Sequence, residues 1–99
     1  MSKNRYSARA DANQPEIVKQ LRKLGYSVQT GHDDILIGLN GKTYWFEIKD
    51  PDKTLNKDGS WKAGAFKDSQ VKLLAEWKGH YKIVHCIEHI LGDIKENNN

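Results

Sequence analysis

Asn40 and Gly41 lie between two runs of strand-forming residues, DILIGL at 34–39 and KTYWFEIK at 42–49. No other feature constrains the fold as strongly. A two-residue Asn-Gly loop suits a type I′ turn, in which both central positions take positive φ, so the two runs read as an antiparallel hairpin. With Asn40 and Gly41 as the whole loop, Leu39 faces Lys42, and counting back along the ladder pairs Asp34 directly with Glu47. Strand alternation then puts Trp45, Glu47 and Lys49 on one face, with Lys49 diagonal to Asp34. Tyr44, Phe46 and Ile48 take the other face, where a core would lie.

The flanking sequence supplies further elements. EIVKQLRKLG, preceded by Asn13 as N-cap and by Pro15 in the first turn, places Ile17, Leu21 and Leu24 on one helical stripe and stops at Gly25. Residues 26–30 read as a short strand and 50–66 as a long loop. SQVKLLAEWKG reads as a second helix ending at Gly79, and 81–87 as a fourth strand. A short helical turn is expected around 88–94. The expected organisation is a basic N-terminal arm over 1–12, a single domain over 13–94 and a disordered tail over 95–99.

A chain of 99 residues has room for one modest core and no second domain. Its 37% hydrophobic and 29% charged residues are those of a globular protein. No apolar run reaches the roughly 20 residues that cross a bilayer, and the polar start lacks a signal-peptide core, so a cytoplasmic location is expected. The single cysteine, Cys86, agrees with a reducing compartment. A net charge of +3 is compatible with a polyanionic partner.

The hairpin register carries the chemistry. Directly opposed residues on one sheet face have Cβ atoms about 4.5 to 5.5 Å apart, so two carboxylates there repel unless a cation lies between them. Hard carboxylate oxygens suit Mg²⁺ or Mn²⁺, which accept phosphate oxygens as further ligands. A nearby ammonium, Lys49, can orient a metal-bound water or stabilise the transition state of phosphodiester hydrolysis. The competing reading is a surface ion pair of Asp34 or Glu47 with Lys49 on a solvated sheet face.

Asp34 followed by an apolar strand, a turn and Glu47-Ile48-Lys49 resembles the signature of the PD-(D/E)XK nuclease superfamily. The order helix, three strands, helix, strand also matches that superfamily's core. More closely, ANQPEIVKQLRKLGYSV, DDILIG, KTYWFEIK and SQVKLLAEWKG resemble the small stand-alone virus-type replication-repair (VRR-NUC) nucleases of phages. The similarity spans about Arg9 to Ile87. It implies an α/β fold with a restriction-endonuclease-like core, a mixed β-sheet flanked by helices in the order α-β-β-β-α-β. It also implies metal-dependent hydrolysis of DNA, in a host cytoplasm if the chain is phage-encoded.

Carried over residue by residue, the resemblance assigns the site to Glu16, Asp34, Glu47, Lys49 and Gln70, with Asp34, Glu47 and Ile48 as the metal-holding positions. The family's proline before the aspartate is replaced by Asp33, whose side chain the register turns away from Glu47. Structure-selective cutting of branched, Holliday-junction-like DNA is the activity the resemblance points to. A unit this small offers one site and a limited footprint, so a C2 homodimer is expected. The alternative is a non-catalytic nucleic-acid-binding module that retains the fold.

Arg5 and Arg9 in the arm, with Lys53, Lys62 and Lys67 in the long loop, flank the site and offer phosphate contacts. Trp61 could stack on an exposed base or pack into a partner, and His32 lies near enough in sequence to touch substrate. His80, His85, Cys86 and His89 suggest zinc, but a strand over 81–87 would send His85 and Cys86 to opposite faces, which disfavours joint ligation.

Overall fold

The computed structural model describes residues 13–31 and 34–97. The expected basic arm, including Arg5 and Arg9, lies outside the described residues, as do His32 and Asp33. Helix α1 (Gln14–Lys23) leads into β1 (Ser27–Thr30), β2 (Asp34–Leu39) and β3 (Lys42–Ile48). A short helix α2 (Pro51–Thr54), helix α3 (Asp68–Glu76), strand β4 (Lys82–Val84) and helix α4 (Ile87–Asn97) follow. The four strands form one sheet in the order β1-β2-β3-β4, antiparallel except for the parallel β3-β4 pair. The protein is thus an α/β fold with a mixed sheet flanked by helices, and it contains the expected order α-β-β-β-α-β. Among the described residues no helix is long and apolar enough to cross a membrane.

The hairpin has the expected register, with Leu39 opposite Lys42 and Asp34 opposite Glu47. Asn40 and Gly41 take φ values of 53° and 79°, the positive pair that a type I′ turn needs. Alternation along both strands buries Ile35, Ile37, Tyr44, Phe46 and Ile48. Val28 and Val84 join them from the outer strands, Ile17, Val18 and Leu21 from α1, and Ile90 and Ile94 from α4. Both helices therefore cover the same sheet face. Asp34, Trp45 and Glu47 are left on the other.

Several elements differ from expectation, each for a local reason. Asn13 does not cap α1 with its side chain. Its Nδ2 instead donates to Lys49 O (3.2 Å) and His85 O (3.1 Å), tying the start of the helix to the chain beyond β3 and β4. Helix α3 ends at Glu76, before Gly79. Trp77 turns extended and packs edge-on against Trp45 at 5.4 Å, and Gly79 passes so close that a Cβ would lie 2.9 Å from the Trp77 indole nitrogen.

The long loop holds α2, capped by Asp50 Oδ1 accepting from Asp52 N–H at 2.9 Å, and a bridge between Leu55 and Trp61. Helix α4 is a full helix through Asn97, three residues into the segment expected as a tail. Ile87, Ile90, Leu91 and Ile94 repeat at helical spacing and face the core, which outweighs the cost of Gly92.

Strand β4 spans only Lys82–Val84. At its start, the side chain of His80 does what a strand residue would otherwise do, since Trp45 N–H donates to His80 Nδ1 at 3.0 Å. At its end the chain bends into α4, so His85 and Cys86 are not alternating strand residues.

Candidate active site

Asp34 begins β2 and Glu47 is the penultimate residue of β3, so the register sets the two residues directly opposite each other on one face of the sheet. Glu47 is only 7% exposed. Its parallel neighbour on β4 is the buried Ile83, which limits water on that flank and strengthens the field of the acid pair.

Asp34 is held from two sides. The Trp45 indole N–H donates to Asp34 Oδ2 at 2.8 Å. Its other oxygen lies over Gly31, where any Cβ would overlap Oδ1, so the absence of a side chain at 31 makes room for the carboxylate. The backbone closes the same corner, with Gly31 N–H donating to Asp34 O at 2.8 Å. The Gln14 side chain reaches that carbonyl from α1 at 3.4 Å.

Trp45 is itself fixed by a chain of contacts that ends in α4. Its backbone N–H occupies His80 Nδ1, and a nitrogen that accepts carries no proton, so the ring proton is on Nε2. Nε2 then donates to the buried Asp93 carboxylate, which Lys82 also reaches at 3.3 Å. The His80 ring is packed edge-on by Tyr44 at 5.1 Å and Phe46 at 5.0 Å.

Tyr81 packs edge-on to Trp45 at 4.8 Å. Burial raises the pKa of its phenol well above the usual tyrosine value, and the negative charges of Glu47 and Asp34 add to the rise. Both carboxylates thus act on the same hydroxyl.

Lys49 follows directly on β3. Its N–H donates to Val84 O at 2.8 Å, extending the ladder by one residue, and its carbonyl accepts from Asn13. With Ile48 fully in the core, alternation returns the Lys49 side chain to the face of Glu47, where it is 7% exposed. The donor set of Asp34 and Glu47, with the main chain of Ile48 between Glu47 and Lys49, is hard oxygen throughout and fits Mg²⁺ or Mn²⁺.

Other expected residues sit elsewhere or have other tasks. Glu16 is exposed on α1, and its carboxylate accepts from Gln20 Nε2 one turn on at 3.0 Å. Gln70 is buried, but its oxygen accepts from Lys67 N–H at 2.9 Å, closing the first turn of α3 in the manner of a capping box. Trp61 is half-buried and packed edge-on against Phe66 at 5.0 Å and His85 at 5.6 Å, so its ring is a packing element at the base of the loop. Lys53, Lys62 and Lys67 are exposed.

Trp45, Tyr81 and Gly31 had no place in the expected site. Trp45 was nevertheless within reach of the hairpin register, because it is the diagonal neighbour of Asp34 on the shared face. No protein-family model, no curated protein and no solved structure matches the chain.

Proposed function

We propose that the protein is a Mg²⁺- or Mn²⁺-dependent endodeoxyribonuclease that cuts branched DNA as a homodimer. The observation that carries this reading is the direct pairing of Asp34 with Glu47, next to Lys49, on the sheet face that α1 and α4 leave uncovered. The resemblance of the Asp34 strand and of Glu47-Ile48-Lys49 to the VRR-NUC pattern, in a chain with the matching element order, supports it further.

Asp34 and Glu47, with the carbonyl of Ile48, would hold the ion. When bound, such an ion lowers the pKa of a water and withdraws charge from the scissile phosphate. The chain's own residues do the rest. Trp45 and the space over Gly31 fix the Asp34 carboxylate in one orientation, so that no reorganisation is needed when substrate arrives. Lys49 brings its ammonium to the same face, where it orients the attacking water or offsets charge on the phosphoryl oxygens.

Lys53, Lys62 and Lys67 are exposed and would contact phosphates, and Arg5 and Arg9, outside the described residues, add positive charge to the sequence. These contacts give affinity without sequence information, which suits selection by DNA shape. A cleft of about 500 Å³, lined in part by Lys19, Arg22, Thr30 and Gly31, opens beside Asp34 and adds positive charge there. For the homodimer, Val71, Leu74 and Trp77 on and just after α3 are 51%, 46% and 52% exposed, an apolar flank open to a second copy.

The test is a cleavage assay on four-way junctions, flaps and linear duplex with Mg²⁺, Mn²⁺ or EDTA, with sedimentation of the same protein. Metal-dependent cutting of junctions in preference to duplex is expected, from a species of twice the chain mass. Protein that leaves every substrate intact with either metal overturns the reading. A protein that binds DNA equally well with metal or EDTA and never cuts it is a binding module.

A further inference from the structure

The bend between β4 and α4 gathers the chain's only cysteine and two of its four histidines. One ligand atom each from His85, Cys86 and His89 lie within 4.8 Å of one another. The two imidazoles meet edge to face with ring centroids 4.5 Å apart. We propose that these three side chains form a second metal site, separate from the acid pair, that takes a borderline-soft divalent ion of the zinc class.

The chemistry of the donors decides the ion. One thiolate and two imidazoles suit zinc, whereas the all-oxygen acid pair suits magnesium or manganese, so the two sites select different metals. A tetrahedral zinc needs such atoms about 3.3 to 3.6 Å apart, as follows from bonds of about 2.0 to 2.3 Å. Closing from the observed spacing takes about an ångström. His89 is exposed on the first turn of α4 and can supply that movement by side-chain rotation. Three protein ligands leave a fourth position for water.

The surroundings favour a fixed site. Asn13 Nδ2 holds His85 O at 3.1 Å, so the backbone of the bend is anchored before any ion arrives. Trp61 packs edge-on against the His85 ring and shields that flank from water. The same Asn13 amide holds Lys49 O, so the bend is joined through one side chain to the end of β3. An ion here would stiffen the β4-α4 corner beside the acid pair.

Cobalt tests this in the full chain, because a cobalt-thiolate bond gives a near-ultraviolet charge-transfer band and a four-coordinate site gives strong visible bands. Metal-free protein titrated with Co²⁺ is expected to develop both, saturating at one equivalent per chain and abolished by Zn²⁺. Cys86→Ser should remove the near-ultraviolet band. His89→Ala, at a position outside the core, should weaken binding at least about tenfold. Glu47→Gln should leave the thiolate band unchanged, which separates this site from the acid pair. Wild-type protein, folded by circular dichroism, that shows no thiolate band overturns the proposal, as does a band undiminished by Cys86→Ser or His89→Ala. Bands without DNA cleavage would sink the nuclease reading alone, and cleavage without bands would sink only this one.

Discussion

The Trp45 indole donates its N–H to Asp34 Oδ2 at 2.8 Å, a diagonal contact across the β2-β3 ladder. Through this bond an aromatic residue on the sheet face opposite the core sets the angle of an acid. The backbone N–H of the same tryptophan bonds His80, whose far nitrogen meets Asp93 in α4. The orientation of Asp34 is therefore backed by a helix on the opposite face of the sheet.

Trp45→Phe keeps a ring against Trp77 and Tyr81 but removes the indole donor. Loss of one hydrogen bond to a charged acceptor is expected to cost about 1.5 to 3 kcal/mol at most in thermal or urea unfolding. Cleavage should fall further, by roughly 10- to 100-fold, with a higher Mg²⁺ requirement, as for partners that orient metal ligands. A variant that cuts as fast as wild type at limiting Mg²⁺ would show that Asp34 needs no such brace.

Glu47→Gln separates the energetics of the acid pair from its chemistry. Like charges directly opposed on a ladder are destabilising, and Gln keeps the size and an accepting oxygen of Glu47, so without metal the variant should stay within about 1 kcal/mol of wild type. Mg²⁺ raises the melting temperature of a protein that binds it when folded, and that increment should vanish in the variant. Cleavage should drop by at least about a hundredfold, the scale of several kcal/mol of lost transition-state stabilisation. A variant that loses stability without metal, yet still gains it from Mg²⁺, would contradict the shared-ion geometry.

What could be read from the residues follows from the range of the interactions involved. The hairpin, its register and the pairing of Asp34 with Glu47 were legible because an Asn-Gly turn leaves no freedom once the flanking strands are recognised. Helix α1 was legible from Ile17 and Leu21, although Leu24, the third residue of the expected stripe, lies past the last turn and is exposed while Val18 is buried in its place. The limits of β4 were not, since they depend on the His80 side chain replacing a strand partner from 35 residues away in sequence. Nor was the role of Asn13, whose contacts to Lys49 and His85 span 36 and 72 residues. The reading of 81–87 as one strand also hid the convergence of His85, Cys86 and His89, because alternation applies only while the chain stays extended.

Asn13 provides a direct test of that long-range role. An ordinary N-cap keeps its contribution when Asn is replaced by Asp, because both accept from the first turn of the helix. Here the side chain donates to two carbonyls, and Asp cannot donate. Asn13→Asp should therefore be at least as destabilising as Asn13→Ala, each by about 1 to 3 kcal/mol in chemical unfolding. Retention of wild-type stability by the Asp variant alone would restore the capping role.

Tyr81 reports on the acid pair through its own ionisation. Its reference value is 10.0, and burial, then Glu47, then Asp34 raise it in the folded protein. Below pH 10 the phenol is protonated in both folded and unfolded chains and its contribution to stability is fully present. Above that pH the unfolded chain releases the proton first, so stability is lost as the pH climbs toward the folded value. Tyr81→Phe should flatten this alkaline decline, read as the pH midpoint of unfolding. An alkaline decline unchanged by Tyr81→Phe would mean that this buried phenol does not govern the loss of stability at high pH.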